Sequence, residues 1–331
     1  MSADSAEGGN KAVVAALLAN AGIAVLKFAA FGLTRSSSLL AEAIHSVADS
    51  GNQVLLLLGG RKAKKDATPQ HPFGYGRERY IYSFIVSIVL FSVGGLFALY
   101  EAYHKAHEVH AHPNDLGQLD GRWWWVPIVV LGGAIVMEGF SFRTAIAESN
   151  KLREGHSWKQ FIRRAKAPEL PVILLEDFAA LLGLAFALFG VSLTLITKNP
   201  VFDVIGTGLI GVLLVAVAIV LAVETKSLLL GESASDEAQV RILRALEGTD
   251  GIDRVIHMKT MHLGPEELLV AVKIGVRSSD SADDIAAAID RAELAVRRAE
   301  PTAQAIYIEP DIYRADYVRA DRPEPPASVG H

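Results

Sequence analysis

Cysteine is absent from the 331-residue chain, which excludes disulfides, thiolate zinc sites and cysteine nucleophiles within it. A basic surplus is lacking too. The formal net charge is -5 and the isoelectric point is near 6.1, so composition makes no general case for nucleic-acid binding. The opening MSADSAEGGNK is polar and acidic, unlike a secretory signal or an arginine-rich transit peptide. H-E-x-x-H does not occur, and no apolar segment offers a second histidine to pair with His45, which argues against an intramembrane metalloenzyme. What the chain has in plenty is apolar sequence, 51% hydrophobic residues against 21% charged. The mean hydropathy of +0.29 is too high for a usual soluble protein and too low for one lying wholly in lipid. A membrane half joined to a soluble half is the expectation.

Six apolar segments precede Gly231, over residues 12–33, 39–60, 81–103, 123–147, 170–195 and 201–223. Each is close to the roughly 20 residues that a helix needs to span a bilayer. The links TRSSS and TKNP are short enough to make antiparallel helical hairpins of the first two and the last two segments. Positive charge sets the orientation. Arg61, Lys62, Lys64, Lys65, Arg77 and Arg79 follow the second segment, and Lys151, Arg153, Lys159, Arg163, Arg164 and Lys166 follow the fourth. The opposite loops hold little beyond Arg35, Lys105, Arg122 and Lys198, so both termini are expected in the cytoplasm, with a plasma (inner) membrane as the location. Trp123, Trp124 and Trp125 fit an interfacial aromatic belt at the outer end of the fourth segment.

The second segment, SLLAEAIHSVADSGNQVLLLLGG, carries His45 and Asp49 near its middle. Ionisable groups at that depth are expensive and mark a functional site by default. At i and i+4 they project from one helical face, one turn apart. An imidazole beside a carboxylate is half of a divalent-metal site, so the residues point to transport of a metal ion. Bare divalent cations do not enter lipid, and a carrier must replace their water with ligands. Metal binds the deprotonated ligands, so metal and protons compete for one site, which couples the two.

Beyond Glu232 the pattern is that of a soluble domain. SDEAQVRILRALEG reads as an amphipathic helix, and IDRVIHMKTMHLG and ELLVAVKIGV as two strands about the Gly264-Pro265 turn. SADDIAAAIDRAELAVRRA carries helix start and stop signals, and AQAIYIEP supplies a third strand. The expected layout is therefore an N-terminal tail over 1–11, a six-helix transmembrane domain over 12–230, a cytoplasmic αββαβ (ferredoxin-like) α+β domain over 231–310, and a charged, Pro-rich disordered tail over 311–331.

From residue 19 to residue 310 the chain resembles the cation diffusion facilitator family of divalent-metal/proton antiporters. NAGIAVLKFAAFGLTRSSSLLAEAIHSVADSGNQ is similar to that family's first two helices, with its H-x-x-x-D motif at His45 and Asp49. HPFGYGRERYIYSF resembles the start of the third helix and LLEDFAALLG the fifth. PVILLEDFAALLG is worded like the branch that includes animal zinc transporter 9. The resemblance implies a homodimer that exports metal by alternating access, driven by inward proton flow, through a tetrahedral site between the second and fifth helices.

Carried over residue by residue, it makes His45, Asp49 and Asp177 ligands of the transported ion. The usual fourth ligand falls on Ile173, which cannot bind metal, and Glu176 is the expected substitute, with water as the alternative. On a helix Glu176 lies about 60° around from Ile173, at 100° per residue. Of the ligands of a second site before the third helix only His71 remains, with Thr68 and Tyr75 at the other positions, so a structural loop is expected there. In the soluble domain Ile256, Val272 and Ile308 occupy ligand positions, while His257 and His262 read as surface residues. A dimerising domain with little or no metal of its own is implied.

Among other polar residues, Asn20, Lys27, Glu42, Asn52, Gln53 and Glu138 are expected at helix contacts or in the cavity, with Lys27 and Glu42 a candidate pair. His104, His107, His110 and His112 read as a solvated histidine-containing outer loop. One imidazole with carboxylates suits Zn²⁺ first and Mn²⁺, Fe²⁺ or Co²⁺ next. No tightly bound cofactor and no catalytic residue is expected. The remaining alternative is a transport-inactive metal sensor or scaffold, since Ile173 is a departure from the ligand set.

Overall fold

The computed structural model describes residues 20–112, 121–153, 155 and 157–314. The expected tail over 1–11, residues 12–19 of the first apolar segment and the tail beyond 314 lie outside the described residues. The chain divides into two compact units, with the change from one to the other between Glu232 and Ser233.

The first unit is helical. Its elements are α1 (Asn20–Thr34), α2 (Ser37–Ala63), α3 (Glu78–Ala111), α4 (Val126–Leu152), α5 (Trp158–Arg164), α6 (Glu169–Thr197) and α7 (Val201–Leu230). Among the described residues four helices, α3, α4, α6 and α7, are long and apolar enough to cross a membrane. The expected count of six is not reached by that measure. Only part of the first segment is described, and α2 trades apolar residues for a buried polar row of Glu42, His45, Ser46, Asp49 and Asn52.

Local chemistry explains the breaks. Ser36 caps α2, its hydroxyl accepting from the Leu39 N–H. Lys198, in the left-handed region at φ 57°, turns the chain between α6 and α7. Within α3, the turns over Leu90–Leu96 widen to π-helical geometry, a feature that recurs at functional sites. Leu39, Leu90, Leu131, Leu184, Ile210 and Leu214 form the centre of the unit's core, each fully buried. The N-terminus of α2 is tied to α7 by Asp203, which accepts from Ser36 Oγ at 3.0 Å, Ser37 N at 3.0 Å and Ser37 Oγ at 3.1 Å.

Two placements differ from the reading of the sequence. His104, His107 and His110 are not in a loop, because α3 continues through Ala111, beyond the expected end of the third segment at residue 103. The basic stretch after α4 holds a short helix, α5, opened by a capping box between Ser157 and Gln160. Trp123, Trp124 and Trp125 form the exposed turn that leads into α4.

The second unit has the order αββαβ: α8 (Asp236–Glu247), β1 (Arg254–Gly264), β2 (Glu267–Gly275), α9 (Ala282–Ala299) and β3 (Ala303–Asp311). The strands lie in the order β1-β2-β3. β2 and β3 are parallel, with Val270 opposite Ile306 and Val272 opposite Ile308, and α9 is the crossover such a pair needs. The amphipathic stripes of α8 and α9 fill one core with the strands, through Ile242, Leu246, Ala292, Val296, Val270 and Ile274. Ile242 is fully buried there. Ile242→Ala is expected to cost about 2–5 kcal/mol, the range for such truncations, read as a lower thermal midpoint of this unit in the intact chain.

Candidate metal centre

The polar row of α2 faces α6. His45 is 1% exposed and Asp49 6%, both too deep for bulk water to satisfy them. His45 Nδ1 stands 3.4 Å from Asp49 Oδ1. Neither ring nitrogen of His45, nor Asp49 Oδ1, has a hydrogen-bond partner among the described residues. Buried polar atoms are nearly always paired, so three orphans side by side need a reason.

Glu176 comes to this group from α6. Asn52 Nδ2 donates to Glu176 Oε1 at 2.6 Å, and the Glu176 and Asp49 carboxyl groups interact directly. Asp177, the next residue, points elsewhere: Ser141 Oγ of α4 donates to its Oδ2 at 2.9 Å. Adjacent helical residues are 100° apart, so they address different neighbours. Ile173 packs into an apolar cluster with Ala145, Phe161 and Leu174. Its side is therefore the dry side of α6.

The structure thus joins His45, Asp49 and Glu176, with Asp177 held one position away. Among the described residues no group of three or more His, Cys, Asp and Glu side chains is gathered tightly enough to hold a metal ion. Of four further residues around this group, Lys27, Asn52 and Glu138 were expected from the sequence at helix contacts or in the cavity, and Ser141 was not. Glu138 and Ser141 of α4 face Asp177, and their i, i+3 spacing in an apolar segment was the available signal. Asn52 and Lys27 are the others, and Lys27 does pair with Glu42, at 3.0 Å.

The secondary candidates settle simply. His71 is exposed and stacks on Tyr75 at 4.7 Å between ring centres. It also closes a small bridge with Thr68. In the second unit Val272 is buried and Ile308 packs against the core. His257 is exposed, but His262 is not a surface residue: at 6% exposure it is buried near the end of β1. Strand alternation breaks at that end, where three consecutive residues are buried, so periodicity misplaces it.

Residues 13–230 match the family described as Cation efflux transmembrane domain. The chain belongs to the cation diffusion facilitator family. It is 34% identical over 260 residues to the human "Proton-coupled zinc antiporter SLC30A9, mitochondrial", covering 78% of this chain and 44% of that protein. With "Metal tolerance protein C4" of Arabidopsis thaliana the identity is 30% over 257 residues, covering 77% of this chain and 54% of the relative. Among solved structures a nickel form of the MamM CTD is 19% identical, with a TM-score of 0.23, over 24% of this chain and 100% of the other. The chain spans about half the length of the curated relatives it matches. As a member of the family it is an integral membrane protein with several spans, and the buried acids and histidine of α2 and α6 lie inside the matched region.

Proposed function

We propose that the protein exports a divalent metal ion, Zn²⁺ first, from the cytoplasm in exchange for protons by alternating access. The observation that carries this reading is the unpartnered His45–Asp49 pair of α2 facing Glu176 of α6 within a cation efflux domain. In this reading His45, Asp49, Glu176 and Asp177 are the ligands, and Glu176 replaces the donor missing at Ile173. The packing of Ile173 against apolar side chains supports that replacement. Asp177 completes the site when its bond to Ser141 is released. Metal requires the neutral imidazole and the ionised carboxylates, so protons arriving from outside expel it, and their departure inside restores the site. Mn²⁺, Fe²⁺ and Co²⁺ are the alternative cargoes for this ligand set.

The wider arrangement follows from the same reading. The transmembrane domain, 12–230, has six spans, counting α2 and the whole first segment, and is flanked by a tail over 1–11. The αββαβ domain, 231–310, is cytoplasmic and pairs in a homodimer, with a disordered tail over 311–331. Both termini face the cytoplasm, in a plasma (inner) membrane. The arginines and lysines in the loops after α2 and α4 support this orientation.

The test is metal uptake into proteoliposomes under a pH gradient, comparing Zn²⁺, Mn²⁺, Fe²⁺ and Co²⁺ for wild type and His45→Ala. Gradient-dependent zinc flux that His45→Ala lowers by about 100-fold or more is the expected result, since removing even an outer-sphere partner costs 10–100-fold. A second reading, a transport-inactive metal sensor or scaffold, is favoured by the looseness of the ligand group among the described residues. Wild type that moves none of the four metals would decide for it.

A further inference from the structure

One turn from His45 along α2, on the side of the link to α1, lies Glu42, fully buried. Lys27 of α1 reaches it. The ammonium Nζ is 3.0 Å from Glu42 Oε2, 2.8 Å from Ser46 Oγ and 3.5 Å from the Glu42 carbonyl oxygen. Charges at such depth are expensive, and a pair of them inside a membrane domain points to a function. Half of the Glu42 carboxylate is left over: Oε1 has no hydrogen-bond partner among the described residues, and neither has any nitrogen of the His45 ring. Oε1 is accommodated against α6 by Gly183, where a Cβ would come within 2.6 Å of it.

Glu42 and His45 stand at i and i+3. That is the spacing with which a carboxylate and an imidazole on one helix hold a metal inside helix bundles. We propose that Glu42 Oε1 and His45 form a second divalent-cation station, its carboxylate about two turns along α2 from Asp49, and that Lys27 is the resident cation that keeps this station shut while it is empty. The direction of traffic, from Asp49 past His45 to Glu42 and the outer loops, rests on the transport reading above; the station's chemistry does not. His45 is common to both stations, so an ion moves from one carboxylate to the other without giving up the imidazole. Lys27 keeps Ser46 Oγ and the Glu42 carbonyl when the ion takes the carboxylate. A pair that served stability alone would have no use for an orphaned oxygen or for the notch at Gly183.

Cobalt(II) binding to the full chain in lipid nanodiscs tests this, with ligand-field absorption reporting the ligands. Because the two stations share His45, the comparison is made in an Asp49→Asn background, which leaves the imidazole to the second station. There Lys27→Met is expected to bind one equivalent of cobalt at free concentrations where Asp49→Asn alone does not, and adding Glu42→Gln is expected to lose it. Equal stoichiometry with and without Lys27→Met overturns the station. Should Lys27→Met fail to fold, Lys27→Met with Glu42→Gln decides, since replacing a buried pair whole leaves no unpaired charge. It is expected to cut zinc turnover about tenfold, as loss of a ligand does, at unchanged half-saturating zinc. Unchanged turnover, or turnover that falls only with the thermal midpoint, overturns the proposal. A cobalt equivalent that depends on Lys27→Met beside a wild type that moves no metal would sink the transport reading and leave the station standing.

Discussion

Glu176→Gln is expected to lower gradient-driven zinc uptake by about 100-fold or more, as far as Asp49→Asn does, since ligand loss exceeds the 10–100-fold of an outer-sphere change. The geometry behind this is specific. Glu176 carries the carboxylate that α6 turns towards α2, where Asn52 fixes it at 2.6 Å. Glutamine keeps the size and the bond to Asn52 but removes the negative charge that a divalent ion needs once its water is gone. Asp177→Asn should fall as far only if the ion draws Asp177 from Ser141, which holds it at 2.9 Å. Ser141→Ala separates these cases, because it frees Asp177 without touching a ligand and is expected to leave zinc uptake at or above wild type. Flux that survives Glu176→Gln would mean a site of His45, Asp49 and Asp177 with water in the fourth position, as open zinc sites have.

Gly190→Leu is expected to destabilise the helical unit by about 3 kcal/mol or more, the upper end for overpacking. α6 and α7 touch backbone to backbone at Gly190 and Gly206. A Cβ on Gly190 would lie 2.8 Å from the Phe202 carbonyl oxygen and 3.3 Å from the Gly206 Cα. On Gly206 it would meet the Phe186 carbonyl oxygen at 2.9 Å. No side-chain rotation relieves a clash with main chain, so the helices must separate. They would also lose the dispersion contacts that hold helices together where lipid is as apolar as leucine. The separation would reach Asp203 as well, at the start of α7, whose carboxylate holds Ser36 and Ser37. Gly132→Ala is the control: its Cβ would meet nothing within 4 Å, and helix propensity predicts a gain of up to about 1 kcal/mol. Thermal unfolding followed by far-ultraviolet dichroism measures both. Equal midpoints for Gly190→Leu and wild type would refute the close approach.

Much of the outline was legible because it is local. Apolar length marks α3, α4, α6 and α7, and the switch from helical to alternating periodicity after Glu232 marks a second unit of αββαβ order. Start and stop signals in SADDIAAAIDRAELAVRRA placed α9, which Ser281 caps. Less legible was α2, whose apolar content is diluted by the residues that give it interest. The end of α3 was missed because histidines and glutamates suit a helix as well as a loop, and composition there speaks for both.

What the sequence by itself determined is the inventory: a histidine and an aspartate one turn apart in an apolar helix, two adjacent acids in another, and no cysteine anywhere. Helical geometry also determined that Glu176 and Asp177 must look in directions 100° apart. Only the tertiary structure decided which of them looks at His45 and Asp49, because a helix can rotate as a body without changing its own hydrogen bonds. The rotation of α6 is set by its contacts with residues distant in sequence. Ile173 packs against Ala145 and Phe161, Gly190 seats against Gly206, and Ser141 takes Asp177. Those contacts turn Glu176 towards Asp49. The same packing brings Lys27 to Glu42, fifteen residues away in sequence, where burial removes the water that would otherwise satisfy each charge alone.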